Sequence, residues 1–378
     1  MKTSIGIIFG GRSGEHEISV RSANAVIQNI DAERYEVVPI AISDTGYWMN
    51  PTASAALLSA EARAALPDGI DAFENSKIAL VGDTRYSGLV DLSGKGSTAA
   101  LAELDVIFPV LHGTFGEDGT IQGLLEMAGI PYIGGSVLAS SCGMDKVVMK
   151  TLFKESGLPI CKHVWFLRRD WEQNAERVIG LVESSIGYPC FVKPANLGSS
   201  VGVSKAEDAE TLRSAIALAA EFDRKIIVEE ALQMREIECG VMGNDDPEAS
   251  LPGEYIIRNK SKAFLDYTEK YAGTGNNEFV VPAPISEELS KKIRQMAVKA
   301  FKAIDGSGLA RVDFFLRNDN GMLLVNEINT MPGLTDASGF PKMWAGSGES
   351  FSAILDRLVG LAMERHKDKA RNKTSIVV

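Results

Sequence analysis

The sequence predicts an α/β protein whose amino-terminal third is an open parallel sheet, followed by a longer region of mixed strands and helices. Three observations predict it. Short apolar runs (IGIIFGG, YEVVPIAI, KIALVG and DVIFPVLHG) alternate with helical spacing at Ile18 to Ile27 and Ile121 to Ala128, the pattern of buried strands in βαβ units. From about Ser141 that alternation gives way to irregularly ordered strands and helices. Near the carboxyl end, Arg311 to Asn329 (RVDFFLRNDNGMLLVNEIN) reads as two strands joined by a polar turn at Asn318-Asp319-Asn320-Gly321. The shifts divide the chain into residues 1–140, 141–231 and 232–378.

Taken in order, the first strand runs into Gly10-Gly11-Arg12-Ser13-Gly14-Glu15-His16-Glu17 and then a helix. Such a junction offers bare N–H groups and a positive helix end to an anion. It is not a G-x-G-x-x-G fingerprint, and Glu15 suits a substrate ammonium instead; a purely structural turn fits equally well. Residues 51–103, rich in Ala, Ser and Gly, are expected to form a helix and surface excursions. His112 and Glu117, in HGTFGEDG, follow a parallel strand, where open sheets place ligands. His112 there is suited to orienting substrate or shuttling a proton; Glu117 and Asp118 equally suit capping the next helix.

A helix from Asp145 to Ser156 stops at Gly157, and CKHVWFL, a helix from Trp171 to Ser184, PCFVKPA and KIIVEEAL follow. Between VKP and VGVSK lies Lys193-Pro194-Ala195-Asn196-Leu197-Gly198-Ser199-Ser200-Val201-Gly202, a hairpin flap. Its glycines and serines expose donors to phosphate oxygens, and Lys193 adds a point charge. It is not a Walker loop, which requires G-K-[ST] entering a helix. Ser286 caps a long helix to Ala303 with acidic residues in its first turn. The basic tail RHKDKARNKTSIVV is expected to fray.

Residues two apart on a strand share a face. Pairing the Arg311–Asn329 hairpin so that partners sum to 640 sets Asp313 opposite Glu327 and Arg311 opposite Asn329. Two carboxylates, an amide and a guanidinium on one patch suit Mg²⁺ bound together with nucleotide phosphates. Phe314, Leu316, Leu324 and Ile328 are assigned to the opposite, apolar face. A charged solvent face of an amphipathic hairpin is the alternative.

A net charge of -11 argues against nucleic acid or an anionic membrane as the main partner, while leaving room for a nucleotide in a local basic pocket. No apolar run approaches the roughly 20 residues that span a bilayer, and the amino terminus lacks the apolar core of a signal peptide. Cys142, Cys161, Cys190 and Cys239 are widely spaced and read as buried reduced thiols. These features point to a cytoplasmic enzyme.

KPANLGSSVG, followed by IIVEEAL, MREIEC, ARVDFFL and VNEINTMPG, resembles the ATP-grasp fold. With FGGRSGEHEIS, HGTFGEDGTIQG, MDK and EKY, the chain resembles the D-alanine–D-alanine ligase family from about residue 4 to residue 365. The resemblance implies a Rossmann-like preATP-grasp domain followed by a two-lobed α+β ATP-grasp domain. It also implies ATP-dependent joining of two D-alanines through an acyl phosphate, for peptidoglycan precursors.

By the same resemblance, Lys146, Lys193, Ser199 and Ser200 contact ATP phosphates. Glu229 and Leu232 hold adenine through backbone groups, and Glu236 holds the ribose. Asp313, Glu327 and Asn329 bind magnesium, or manganese in its place, as two ions bridged by Glu327. Arg311 neutralises the acyl phosphate and tetrahedral intermediate. Glu15, Ser199 and Tyr271 form a hydrogen-bonded trio, with Glu15 on the first D-alanine's ammonium. Tyr267, Lys270 and Tyr271 belong to a lid, Lys270 reaching phosphate or the second substrate. His112 also faces substrate, and Ser338 and Gly339 receive the second D-alanine's carboxylate. A homodimer is implied as well.

Two departures stand out. Glu230 occupies a position where the family often has lysine or glutamine, and Gly339 one where it has a larger apolar residue. Tyr271 favours the dipeptide product, because ligases that use D-lactate carry histidine or phenylalanine there. The competing readings are a ligase using D-serine or D-lactate second, a non-catalytic nucleotide-binding module, and a biotin-dependent carboxylase subunit.

Overall fold

A computed structural model describes residues 2–93, 100–198, 201–257 and 277–373, the side chains of Ala100, Leu101, Ile257 and Asn277 aside. The chain opens with β1 (Thr3–Gly10), α1 (His16–Asn29) and β2 (Tyr35–Ile42). The apolar run of β1 buries Ile5, Ile7, Ile8 and Phe9 completely, as a strand covered on both faces must. Short helices α2 (Pro51–Ala55) and α3 (Ala60–Ala64) start on Asn50 and Ser59, whose side chains accept the N–H groups of Ala53 and Ala62.

Strands β3 (Ile78–Leu80), β4 (Gly88–Asp91) and β5 (Ala100–Glu103) follow, then β6 (Val106–Pro109), α4 (Thr120–Ala128) and α5 (Val137–Met144). The parallel sheet runs β2-β1-β6. The chain crosses from β1 to β2 on one side and reaches β6 on the other, so the switch point lies at the carboxyl end of β1. KIALVG was expected in this sheet and is not there. As β3 it pairs antiparallel with β4, which pairs with β5, so residues 51–103 carry a separate small sheet rather than a helix and excursions alone. The turn closed by Tyr86 N–H on the Asp83 carbonyl folds β4 back on β3, and a local hairpin closes at lower entropic cost than a crossover.

Next come α6 (Lys146–Glu155), β7 (His163–Leu167), α7 (Arg168–Gln173), α8 (Ala175–Ser185), β8 (Cys190–Pro194), β9 (Ser204–Ala206), α9 (Ala209–Phe222) and β10 (Lys225–Glu230). Four antiparallel strands lie in the order β7-β10-β8-β9. Asp145 caps α6 by accepting from the N–H groups of Val147 and Val148, and Gly157, at φ 70, lies just past the helix end. The single helix expected from Trp171 to Ser184 is two. Asn174 sits at φ -157 and ψ 82, outside helical space, and its side chain caps α8 at Arg177 N–H. Helix α9 was not anticipated, although Leu212, Ala215, Ile216 and Ala219 bury the i, i+3, i+4, i+7 stripe that announces one.

The last region holds β11 (Met234–Gly243), β12 (Glu248–Ala249), β13 (Gly253–Ile257), β14 (Asn277–Val280), α10 (Glu287–Ala303), β15 (Gly308–Arg317), β16 (Leu323–Asn329), α11 (Gly339–Gly346) and α12 (Phe351–Lys369). Its sheet runs β14-β13-β11-β15-β16, with β12 on β11. Ser286 caps α10 by accepting from Leu289 N–H, as expected. Helix α12 packs back on the amino-terminal sheet, sharing a core in which Ile354, Leu355 and Leu358 join Ile5, Ile7 and Val26. The tail therefore does not fray from Arg365. That guanidinium donates to the carbonyls of Tyr132 and Gly134 and to Ser307 Oγ, at 2.8, 2.5 and 2.6 Å, fixing helix structure through Lys369. All four cysteines are free, three of them buried. Among the described residues no helix is long and apolar enough to cross a membrane.

Candidate functional site

The β15–β16 hairpin adopts the register read from its sequence, with Arg311 opposite Asn329 and Asp313 opposite Glu327. A bulge between Asp313 and Phe314 then shifts the pairing, so Phe314 meets Val325 and Phe315 meets Leu324. Phe314, Leu316 and Ile328 lie in the core under α10 as expected. Leu324 does not: the bulge turns it, with Phe315, to the other face, and leaves Asn326 as the extra residue.

The hairpin's polar face forms one wall of a cleft that also takes in Glu15, Lys146, Lys193, Glu236 and Glu238. Arg311 grips Asp313 with two hydrogen bonds, Nε to Oδ1 at 2.7 Å and Nη2 to Oδ2 at 2.6 Å. Asn329 Nδ2 donates to the same Oδ2 at 3.1 Å. Glu238, next on β11 and directly opposite Asp313, stands 3.4 Å from Arg311 Nε. Asp313, Glu327 and Asn329 supply carboxylate and amide oxygens from adjacent strand positions. That donor set fits a hard divalent cation. Glu238 was missed, although its alternation with Glu236 in MREIEC puts both on the cleft face.

The opposite wall carries the lysines. Lys146, first in α6, donates from Nζ to the Leu197 carbonyl at 2.7 Å and lies 3.9 Å from Glu327 Oε2. Its backbone N–H bonds the Ala195 carbonyl, so both ends of the residue hold the KPANLG loop. Lys193 Nζ is 2.6 Å from Glu229 Oε2, and Lys150 Nζ is 3.0 Å from Glu229 Oε1. Burial by itself pushes the Glu229 carboxyl up, but the two ammonium groups reverse this and hold it well below the usual range. The side chain of Glu229 thus serves the lysines, while its backbone lies in β10 between β7 and β8.

Lys150 escaped the sequence reading. It lies one turn after Lys146 on the same face of α6, a spacing that pointed to it. Glu230, the departure noted above, accepts from Lys162 N–H at 2.8 Å and tethers the segment entering β7. The adjoining loop carries Leu232. Glu236 lies on the cleft face of β11, in register with Phe315.

On the amino-terminal side, Glu15, His112 and Glu117 converge, their ligand atoms within 4.8 Å of one another. His112 is buried and both ring nitrogens are engaged, Nδ1 with the Met331 carbonyl and Nε2 with Ser22 Oγ, each at 3.0 Å. Burial pulls it down to about 4, so at neutral pH it is an uncharged brace between α1 and the segment after β16. Glu117 accepts from Gly113 N–H at 2.9 Å and Met331 N–H at 3.4 Å, while Asp118 caps α4 at Thr120 N–H. Burial, followed by the Glu15 charge, pushes Glu117 up to about 8. Burial pushes Glu15 up to about 7 against the pull of Lys146 and Arg311.

Glu15 also approaches the flap: a Cβ on Gly198 would lie 2.9 Å from Glu15 Oε1, which explains a glycine there. Ser199, Ser200, Tyr267, Lys270 and Tyr271 lie outside the described residues.

Ser338 is buried at the start of α11, its hydroxyl bonded to Thr335 Oγ1 at 2.8 Å and accepting from Thr335 N–H at 3.1 Å. It therefore shapes the turn that leads to Gly339. A Cβ on Gly339 would stand 2.5 Å from Glu238 Oε2 and 2.8 Å from the Phe279 ring. Phe279 takes the space that a larger residue would fill. Gly339→Leu is expected to cost roughly 1–3 kcal/mol through overpacking, read as a lower melting temperature. Adding Phe279→Ala should recover part of the loss; equal melting of Gly339→Leu and the parent would refute the packing explanation.

Comparison with known proteins gives one consistent picture. Family models described as D-ala D-ala ligase N-terminus and D-ala D-ala ligase C-terminus match residues 4–135 and 152–360. A D-alanine–D-alanine ligase of Bacillus licheniformis is 45% identical over 379 residues, covering 99% of each chain. One of Geobacillus thermodenitrificans is 45% identical over 369 residues, covering 98% of each. Among solved structures, the D-alanine-D-alanine ligase from Coxiella burnetii matches with a TM-score of 0.80 at 33% identity, covering 98% of this chain and 96% of that one. The VanG D-Ala:D-Ser ligase from Enterococcus faecalis also reaches 0.80, at 34% identity, covering 96% and 100%.

Proposed function

We infer from the geometry, and from the premise that this chain belongs to the D-alanine–D-alanine ligase family, how its residues divide the work. The protein is an ATP-dependent ligase joining two D-alanines for peptidoglycan synthesis, and the family uses ATP with a divalent metal. The observation that carries the residue assignment is the meeting of Lys146, Lys193, Asp313, Glu327, Asn329 and Arg311 in one cleft that faces Glu15.

Lys193 and Lys146 take the phosphates from the α6 side, and the flap residues Ser199 and Ser200 add donors. Glu236 accepts from the ribose hydroxyls, and Glu229 and Leu232 border the adenine through backbone groups. Asp313, Glu327 and Asn329 would hold magnesium or manganese, two ions per site by the family expectation. When bound, the metal offsets charge on the transferring phosphoryl group.

A carboxylate is a poor acyl donor. The first D-alanine, its ammonium on Glu15 and braced from behind by His112, attacks the γ-phosphorus of ATP and releases ADP. The second D-alanine, its carboxylate at the start of α11 near Ser338 and Gly339, attacks the acyl carbon with its amine. The bond to phosphate breaks and the amine loses a proton. Arg311 stabilises the oxygen that gains charge in that step. In the ligand-free arrangement that guanidinium is hydrogen-bonded to Asp313, and a metal held by Asp313 would leave it free to turn to the oxygen. The roles that the family resemblance gives Lys270, at phosphate or the second substrate, and Tyr271, with Glu15 and Ser199, belong to this proposal.

Phosphate release measured with D-alanine alone and with D-serine or D-lactate added, and the product identified by mass spectrometry, tests this reading. D-alanine alone is expected to suffice and to give the dipeptide. Absence of stimulation by D-alanine would sink the assignment. Use of ATP and D-alanine fits a bacterial cytoplasm, and the family expectation of a homodimer is checked by molar mass in solution.

A pH dependence follows from Glu15 and Glu117. A carboxyl raised in the folded state contributes stability that is whole below its unfolded pKa, near 4.5, and is lost as pH rises through the folded value. Ligand-free protein should therefore lose stability from about pH 4.5 to about pH 8. An ammonium beside Glu15 reverses the preference, so the KM for the first D-alanine should fall as pH rises through about 7, with proton release on binding. A KM that rises over that interval would remove Glu15 from the ammonium site.

A further inference from the structure

A second, half-open cavity lies behind the catalytic cleft, at the switch point of the amino-terminal sheet, with a volume of about 320 Å³. For scale, an apolar cavity of about 150 Å³ holds benzene. Ile42, Trp48, Leu111, Phe115, Ile121 and Leu124 form its apolar walls, and the glycine loop from Gly10 to Ser13 closes one side. Among the described residues, none of those lining it is acidic, and Arg12 is the one that carries full charge. That is unusual in a chain of net charge -11. The His112 imidazole, which also touches this cavity, is held neutral by burial. Asp118 does not line it, its oxygens being turned to the N–H groups of Phe115 and Thr120.

The mouth has an unusual construction. Phe115 adopts φ 66, a left-handed conformation that costs a bulky residue on the order of 1–3 kcal/mol. The residue is 37% exposed. The Arg12 guanidinium lies over its ring, 4.5 Å from the centroid. The hydrogen-bonded turn that carries this strain holds an aromatic ring at an opening, beneath a cation. The crevice at a switch point is also where open α/β sheets bind ligands. The catalytic cleft takes the far side of the same two loops, at Glu15 and Glu117, and leaves this side unused.

We propose that this cavity binds a small monocarboxylate with a flat apolar body, separately from the catalytic substrates, and that its occupancy changes the affinity for D-alanine. The apolar body fills the space between Trp48, Leu111 and Leu124, and the carboxylate meets Arg12 at the mouth. The coupling runs through shared loops. Ser13 Oγ donates to the His112 carbonyl at 2.8 Å, and Ser13 stands two residues before Glu15.

The probe is 1-naphthoate, with neutral 1-naphthylmethanol as its isostere, titrated into the full chain by calorimetry and by Trp48 fluorescence. Expected is one site per chain with a dissociation constant on the order of 0.1–1 mM; the site still binds when D-alanine and a non-hydrolysable ATP analogue saturate the cleft, with its affinity shifted by the same factor as that for D-alanine. Leu124→Trp, which fills the cavity, should weaken it about tenfold or more. Arg12→Ala should weaken naphthoate about fivefold and leave the neutral isostere unchanged. Basal ligation and the circular dichroism spectrum of both variants report that they fold. Competition with the ATP analogue, indifference to Leu124→Trp, or no binding at all would overturn the site. A bound probe that leaves the KM for D-alanine within about twofold would overturn the coupling.

Discussion

Asp313→Ala is expected to lower ATP-dependent D-alanine turnover by roughly 10³-fold or more, a loss of the size seen when one preorganised electrostatic group is removed from a reacting centre. The side chain serves two partners at once. It is a proposed metal ligand, and in the ligand-free arrangement it holds Arg311 through 2.7 and 2.6 Å hydrogen bonds. Alanine removes the metal oxygen and strips a largely buried guanidinium of its bidentate partner, with Glu238 a carboxylate neighbour at 3.4 Å. Stability should fall by about 1–3 kcal/mol, while the fold persists because β15 is laddered to β11 along its whole length. Asp313→Asn separates the two effects. It keeps the shape and an acceptor for Arg311 but loses the charge, so near-parental melting with turnover still lost is expected. Turnover within about tenfold of the parent in either variant would remove Asp313 from the metal set.

What the sequence revealed, and what it hid, follow from the range of the interactions. The register of the Arg311–Asn329 hairpin was legible because a tight turn sets it locally and alternation is a strict period of two. The bulge was not legible. It depends on Asn326 giving its carbonyl to Lys150, 176 residues away, and no local pattern encodes such a partner. Leu324 was therefore put on the wrong face. KIALVG had the composition of a buried parallel strand, but three residues and a nearby turn gave it a local antiparallel partner instead. Arg365 looked like part of a solvated basic tail. The carbonyls of Tyr132 and Gly134, more than 230 residues earlier, make it a docking group. At the site, motif residues that face the cleft were found, and the residues that hold them, Lys150 and Glu238, were not.

Lys150→Met should be the most damaging substitution outside the residues proposed to touch substrate. Its side chain is 1% exposed, its Glu229 partner 3%. Burial alone would pull the Lys150 ammonium down, yet Glu229 and its neighbours raise it above its ordinary value. The pair is charged at any pH the protein meets. Breaking a buried ion pair from one side costs about 3–5 kcal/mol. Because Lys193 still neutralises Glu229, about 2–4 kcal/mol is expected here.

Function should suffer in a particular way. Freed of Lys150, Glu229 keeps Lys193 as its remaining lysine and draws it from the phosphates, so the KM for ATP should rise about tenfold, the loss that follows removal of an orienting partner. Lys150 also donates to the Asn326 carbonyl at 3.0 Å, at the bulge one residue before Glu327, so kcat should fall as well. Adding Glu229→Gln removes the charge that draws Lys193 away. The double variant should recover much of the stability, with a coupling of about 1–3 kcal/mol, and should release Lys193 to lower the KM for ATP. Strict additivity of the two substitutions, in melting and in KM, would mean that Lys150 and Glu229 act separately and that Lys193 is positioned by something else.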